Sequence, residues 1–247
     1  MSRSEFTLNE GTTPFAIDTG WQLFVPPGPP PEGGWPLVLA LHGMGMSGRM
    51  LALIMNDLLE PRAAYLFPDG VYPYEIRKAD RIRIGYAWSL YDGTEPLFRR
   101  TLERTEAHLL GLLDAVAAHT PIDRARTFLL GYSQGAYTGY FVALRNHARF
   151  AGLVAIAGRM KEEFVAEHLA AASTHLPVLI LHGEQDPAVL FDRARATHDT
   201  LVRHGFPVEM RSFAKGHELG RPEIEAARAW LGARFGAPPG EAPRHDE

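Results

Sequence analysis

Short apolar runs alternating with amphipathic helical segments predict an α/β fold, a mostly parallel central sheet with helices on both faces. Three observations carry the prediction. The strand-like runs are nearly continuous in apolar residues, as a sheet covered on both sides requires. Helix-length segments separate them, as right-handed crossovers between parallel strands demand. The chain has 247 residues, 46% hydrophobic and 22% charged, enough to bury a large core in one domain.

Each element follows in order. Trp21 to Val25 is the first extended run. Pro26 to Pro36 holds six prolines and three glycines, so it reads as a stiff surface loop. A strand over Pro36 to Leu41, a helix over Arg49 to Leu59 and a strand over Ala63 to Phe67 come next. Tyr72 to Glu95 is irregular and rich in Tyr, Arg and Trp. An excursion of that size reads as a binding loop or lid. Pro96 to His119 carries Leu102, Leu109, Leu112, Leu113 and Val116 at helical spacing, with Thr94 as its cap and proline in its first turn. Strands over Arg126 to Leu130, Ala151 to Ala157, Leu176 to Leu181 and Pro207 to Phe213 alternate with helices over Gln134 to Asn146, Lys161 to Ala172, Leu190 to His204 and Pro222 to Arg234. One domain over residues 1–235 is expected, followed by a disordered Pro-, Gly- and charge-rich tail at 236–247.

Composition removes several function classes. A formal charge of −4 argues against a sequence-independent grip on nucleic acid or an anionic membrane. With no cysteine there is no disulfide, thiolate metal site or cysteine nucleophile. The eleven histidines show no paired ligand spacing, so neither metal nor cofactor is expected. The first ten residues lack an apolar signal core and no run reaches the length of a membrane span, so the expected location is cytoplasmic. A homodimer is left open.

The chemistry is concentrated in a few loops. Gly131-Tyr132-Ser133-Gln134-Gly135 ends an apolar strand and opens a helix. That is the context of a nucleophile elbow, where a strained turn lifts the serine hydroxyl and small flanking residues let strand and helix approach. A serine needs a base, and in this architecture the acid and then the histidine follow the serine in the chain. Asp186 lies just past the run ending at Leu181, and His217 lies on the loop after the run ending at Phe213. Glu184 is the other acid in reach, and His182, His198 and His204 are the other histidines, each read as structural or as surface.

The third part is Leu41-His42-Gly43-Met44-Gly45-Met46. A turn of this kind can supply one oxyanion donor, the Met44 amide, and the amide after the serine, Gln134, supplies the other. His42 is read as a brace for this loop. Its glycines, with Gly48, also match the spacing of a dinucleotide fingerprint, with Asp69 at the end of the next strand. That reading would leave Ser133, Asp186 and His217 unexplained. Met46, Tyr86 and Trp88 are candidates for the substrate pocket, together with Met44, Tyr72, Tyr74 and Tyr91. Arg77, Lys78, Arg81 and Arg83 are read as a solvated loop face.

On these residues the chain resembles the α/β-hydrolase superfamily and, within it, the phospholipase/carboxylesterase group that includes bacterial carboxylesterases and acyl-protein thioesterases. The matching pieces are the loop at 41–45, the elbow at 131–135, Gly183-Glu184-Gln185-Asp186-Pro187 and the loop bearing His217. Tyr86-Ala87-Trp88-Ser89-Leu90 falls where the group has an Arg-x-Trp-Phe-Asp-like segment, and Met46 stands where it often has an acid. The resemblance implies a serine carboxylesterase acting through an acyl-enzyme on Ser133, with a small-molecule ester as its substrate. A thioesterase, lysophospholipase or feruloyl-type aryl esterase is the nearer alternative. A dinucleotide-binding or non-catalytic binding protein is the distant one.

Overall fold

The computed structural model describes residues 13, 16–56, 59–172 and 176–236. In chain order the elements are β1 (Trp21–Phe24), β2 (Trp35–Leu41), α1 (Gly48–Met55), β3 (Ala64–Pro68), β4 (Tyr72–Arg77), β5 (Ile82–Ala87), α2 (Glu95–His119), β6 (Ile122–Tyr132), α3 (Gln134–Arg145), β7 (Gly152–Ile156), α4 (Ala166–Ala172), β8 (Val178–Gly183), α5 (Phe191–Arg203), β9 (Val208–Phe213) and α6 (Arg221–Gly232). Seven strands form one sheet in the order β1-β3-β2-β6-β7-β8-β9. β1 runs antiparallel to β3 at one edge, and every other pairing is parallel.

The side-chain period of two explains why central strands read as unbroken apolar runs. In β2, Leu37, Leu39 and Leu41 point to the face covered by α2 and α3, while Val38 and Ala40 point to the face covered by α1 and α6. β8 divides the same way, Val178 and Ile180 against Leu179 and Leu181. Both sets are buried, so polarity has no face on which to appear.

Several boundaries move. β6 begins at Ile122, ahead of the expected Arg126, because a register shift between Trp35 and Leu37 lets β2 pair with both ends of a longer strand. The segment read as one helix from Lys161 divides into a 3₁₀ turn, Glu162–Phe164, and α4. Thr94 occupies the N-cap of α2, but its hydroxyl bonds Asp92 at 2.7 Å and makes no cap bond. The tail expected to be disordered lies, at 237–247, outside the described residues.

The largest correction concerns residues 72–95. Most of this irregular segment is a hairpin, β4 paired with β5 in register from Tyr72–Ala87 to Arg77–Ile82. Its turn, Lys78 to Arg81, contains no glycine and hides the hairpin from composition. Two further bonds dock it on the early loop: the Gly45 amide donates to the Tyr86 carbonyl at 2.9 Å, and the Tyr86 amide donates to the Met46 carbonyl at 3.1 Å. A Cβ at Gly85 would stand 2.8 Å from the Gly45 carbonyl oxygen, so the approach requires glycine.

Candidate active site

The parallel strands β6, β8 and β9 deliver three side chains to one edge of the sheet. Ser133 joins β6 to α3 at φ 55°, ψ −115°, a conformation L-residues rarely adopt. Its amide is held by the Ile156 carbonyl at 2.8 Å. The turn closes only because its neighbours lack side chains: a Cβ at Gly131 would stand 2.3 Å from the Gly135 carbonyl oxygen, and one at Gly135 would stand 2.2 Å from the Leu41 oxygen.

The Ser133 hydroxyl lies 2.8 Å from His217 Nε2, and His217 Nδ1 lies 2.7 Å from Asp186 Oδ2. Asp186 is buried, and its other oxygen, Oδ1, accepts the amides of Ala188 and Val189, each at 2.8 Å. Burial opposes its ionisation. The Val189 amide, His217 and the Ala188 amide outweigh that and hold the carboxyl below its usual range. The rival acid, Glu184, is exposed and accepts instead from the Ser212 hydroxyl at 2.6 Å. His198 bonds the adjacent Asp199, and His204 terminates α5.

Of the residues that support this set, sequence reasoning read His182 as structural and assigned no role to Tyr132, Lys215 or Glu223. His182 is buried, and its Nε2 hydrogen bonds the Val189 carbonyl at 2.8 Å while lying 3.4 Å from Asp186 Oδ2. It therefore ties down the turn that holds Asp186. The Tyr132 ring packs on the His217 ring with centroids 5.6 Å apart. Lys215 bonds the buried carboxylate of Glu223, which also accepts the Gly220 amide at 3.0 Å, closing the loop around His217. For Tyr132, Lys215 and Glu223 the signal in the chain was at most nearness to a motif residue.

The 41–46 loop sits against the elbow. A Cβ on Gly43 would lie 3.0 Å from the Tyr132 ring and 3.4 Å from Ser133 Cβ. Buried His42 fixes the loop from behind: its Nδ1 donates to the Gly43 carbonyl and its Nε2 accepts the Gly70 amide. Burial pushes its pKa down against the opposing pull of Gly43 and Asp69, in keeping with this neutral form. Gln134 is the first residue of α3, where an amide has no acceptor within the helix. Together with Met44 and Ser133 it lines the cleft. The nucleotide alternative fails here. The Gly48 amide at the start of α1 is already taken by Asp69 Oδ1 at 2.8 Å, and Ser47 caps the helix by accepting from Met50.

The cleft above Ser133 has a volume of about 1320 Å³. Tyr72, Tyr74, Tyr91, Phe98 and Tyr137 supply most of its wall. The three pocket candidates Met46, Tyr86 and Trp88 do not line it. Trp88 is wholly buried, and its indole donates to the His42 carbonyl at 2.8 Å. Tyr86 turns toward Asp69, and Met46 packs on the core beneath α1. Ala87 and Ser89 line the cleft instead, and alternation along this stretch turns Tyr86 and Trp88 to the opposite side.

Gln134 also works through its side chain. Its Oε1 accepts the Trp88 amide at 3.0 Å, and its Nε2 donates to the Ser89 carbonyl and hydroxyl, both at 3.2 Å. Gln134→Ala would strand these half-buried groups. The expected cost is about 1–3 kcal/mol in urea unfolding, with a matching loss of activity as the 88–90 segment loosens.

Among the described residues no helix is long and apolar enough to cross a membrane, and no group of three acidic or histidine side chains could hold a metal ion.

The comparisons with known proteins agree with this geometry. The lysophospholipase-like protein 1 of Mus musculus is 25% identical over 219 residues, 85% of this chain and 90% of its own. The acyl-protein thioesterase 2 of Zea mays superposes with a TM-score of 0.70 at 20% identity, over 88% of this chain and 99% of that one. The Bacillus cereus carboxylesterase does so with a TM-score of 0.65 at 19% identity, over 87% and 94%. The family model for phospholipase/carboxylesterase matches residues 31–233, nearly the whole described chain. This α/β-hydrolase fold belongs to the phospholipase/carboxylesterase family.

Proposed function

We propose that the protein is a serine carboxylesterase that cleaves small-molecule esters through an acyl-enzyme on Ser133. The observation that carries the reading is the unbroken run of hydrogen bonds from the Ser133 hydroxyl through His217 to Asp186. In the first step Ser133 Oγ bonds to the ester carbonyl carbon and its proton passes to His217 Nε2. Asp186 holds Nδ1–H, fixing the productive tautomer and stabilising the imidazolium. The Met44 and Gln134 amides receive the charge that develops on the carbonyl oxygen, an effect worth about 3–4 kcal/mol for each donor. As the tetrahedral species collapses, the C–O bond to the alcohol breaks and His217 returns the proton to the leaving oxygen. Water then repeats the sequence on the acyl-enzyme, releasing the acid and restoring the Ser133 hydroxyl.

A thioester or lysophospholipid substrate is the second reading. Some of the relatives' names point to it while others name carboxylesterases, and the cleft is roomy enough for a long acyl chain. A fluorophosphonate probe tests the nucleophile: wild type should label, and Ser133→Ala should not. Equal labelling of the two proteins would sink the assignment. A panel of esters and thioesters of increasing chain length then separates the two readings by kcat/KM.

A further inference from the structure

The cleft is lined by basic side chains and, among the described residues, by no acidic one. Among the described residues that line it are Arg104, Arg159 and Lys161, and no aspartate or glutamate. Lys161 is neutralised by Glu95 and Glu163. His108 hydrogen bonds Thr19 at 3.0 Å, and burial holds its pKa below the usual range, so it adds no charge at neutral pH. Arg104 is exposed and lies beside the Tyr72 hydroxyl. Arg159 differs from these. It is half-buried, takes part in no ion pair among the described residues, and its guanidinium stands 5.8 Å from the centroid of the Tyr137 ring.

The backbone around Arg159 is built to present it. Ala157, buried at the end of β7, has φ 51°, a left-handed conformation that costs a residue with a Cβ about 1–3 kcal/mol. Its amide is held by the Leu181 carbonyl at 2.8 Å. Gly158 then presses on the elbow: a Cβ there would lie 2.5 Å from Ala136 Cβ and 3.2 Å from the Ser133 carbonyl oxygen. On the far side the Met160 amide is anchored on the Thr197 hydroxyl at 3.0 Å. Arg159 is thus fixed on both sides, one residue from the backbone that carries the serine. Tyr137, one turn along α3 from Ser133, leads to Phe98 at 5.3 Å and on to Tyr91 at 5.5 Å, an aromatic wall that ends at the guanidinium.

We propose that Arg159 determines specificity by binding an anionic group, a carboxylate for choice, on the same molecule as the scissile ester. The inference rests on the serine-esterase reading. A planar guanidinium matches a carboxylate in a two-pronged bond, and a half-buried cation in no ion pair of its own, with the neighbouring Glu163 already paired to Lys161, gains more from such a partner than a solvated one does. The wall beside it accepts the flat or apolar body that joins the two groups.

The carboxylate could sit on the acyl or on the alcohol side, and two pairs of substrates distinguish them. One pair is a nitrophenyl ester whose acyl chain ends in carboxylate, against its methyl-capped equivalent. The other is an acetate ester of a carboxylated phenol, against the uncharged phenol ester. The quantity measured is the charged-to-neutral ratio of kcat/KM. In one pair the wild-type ratio should exceed one and fall with added salt. Arg159→Gln should lower it at least tenfold, mostly through KM, and Arg159→Lys should recover part of it. Arg77→Gln, which removes one charge from the hairpin tip, should leave the ratio where it was. A ratio below one in both pairs overturns the proposal. So does a tenfold fall in Arg104→Gln but not in Arg159→Gln, or an equal loss on charged and neutral esters in Arg159→Gln. If no ester is turned over, or turnover survives Ser133→Ala, the catalytic reading itself has failed and the specificity falls with it.

Discussion

Ser133→Gly is expected to abolish ester turnover and, in the same protein, to raise stability. Removing the hydroxyl takes away the proposed nucleophile, and losses of about 10⁴- to 10⁶-fold in kcat are typical when a member of such a set is deleted. The stability gain has a separate origin. At φ 55°, ψ −115° a residue with a Cβ is strained by about 1–3 kcal/mol, whereas glycine occupies this region freely. The unfolded chain gains freedom with glycine, which returns about 0.4–1 kcal/mol. The balance is a gain of about 1 kcal/mol. Ser133→Ala keeps the Cβ and the strain, so it should lose activity equally and gain nothing from the backbone. Denaturant midpoints of the two variants measured side by side decide the matter. A glycine variant less stable than the alanine variant would show that the elbow is not strained.

The sheet was legible because its physics is local. Leu37 to Leu41 and Val178 to Leu181 are apolar on both faces, and that pattern needs no knowledge of what covers them. That Ser133, Asp186 and His217 come together was legible for a related reason. Each lies just past a strand, and a parallel sheet brings such positions to one edge. The hairpin was not legible, because its turn lacks glycine and its strands carry Glu75, Arg77 and Arg83 among the apolar residues. The pocket was misjudged at Tyr86 and Trp88 because the sequence does not reveal which alternating set faces the cleft, and Ala87 and Ser89 do. Only packing against α2, where the Thr105 hydroxyl bonds the Trp88 carbonyl, decides between them. His182 and Glu223 act through partners seven and eight residues away across a loop, Val189 and Lys215, and no periodicity encodes a contact of that kind.

Asp186→Asn should cost about 10⁴-fold in kcat while leaving the fold in place. The asparagine can keep its oxygen on the Ala188 and Val189 amides, which fixes the orientation of the side chain. Its NH₂ group must then face His217 Nδ1 at the position of Oδ2. Donor would meet donor there. The imidazole escapes by carrying its proton on Nε2, the nitrogen that should accept from Ser133, and the base is lost without any loss of its ring. Stability should respond with a definite sign. The carboxyl of Asp186 ionises below its unfolded value of about 3.9, so its contribution is fully present above about pH 4 and is lost as pH falls through the lower folded value. The asparagine variant has no such group. Its deficit relative to wild type should be constant from neutral pH down to about pH 4 and should shrink below that, as wild type loses what the variant never had. Urea unfolding of both proteins between pH 7 and pH 3 tests this. A deficit that widens toward acid would mean that Asp186 is held protonated in the folded protein, and a protonated Asp186 could not stabilise the imidazolium on which the proposed chemistry depends.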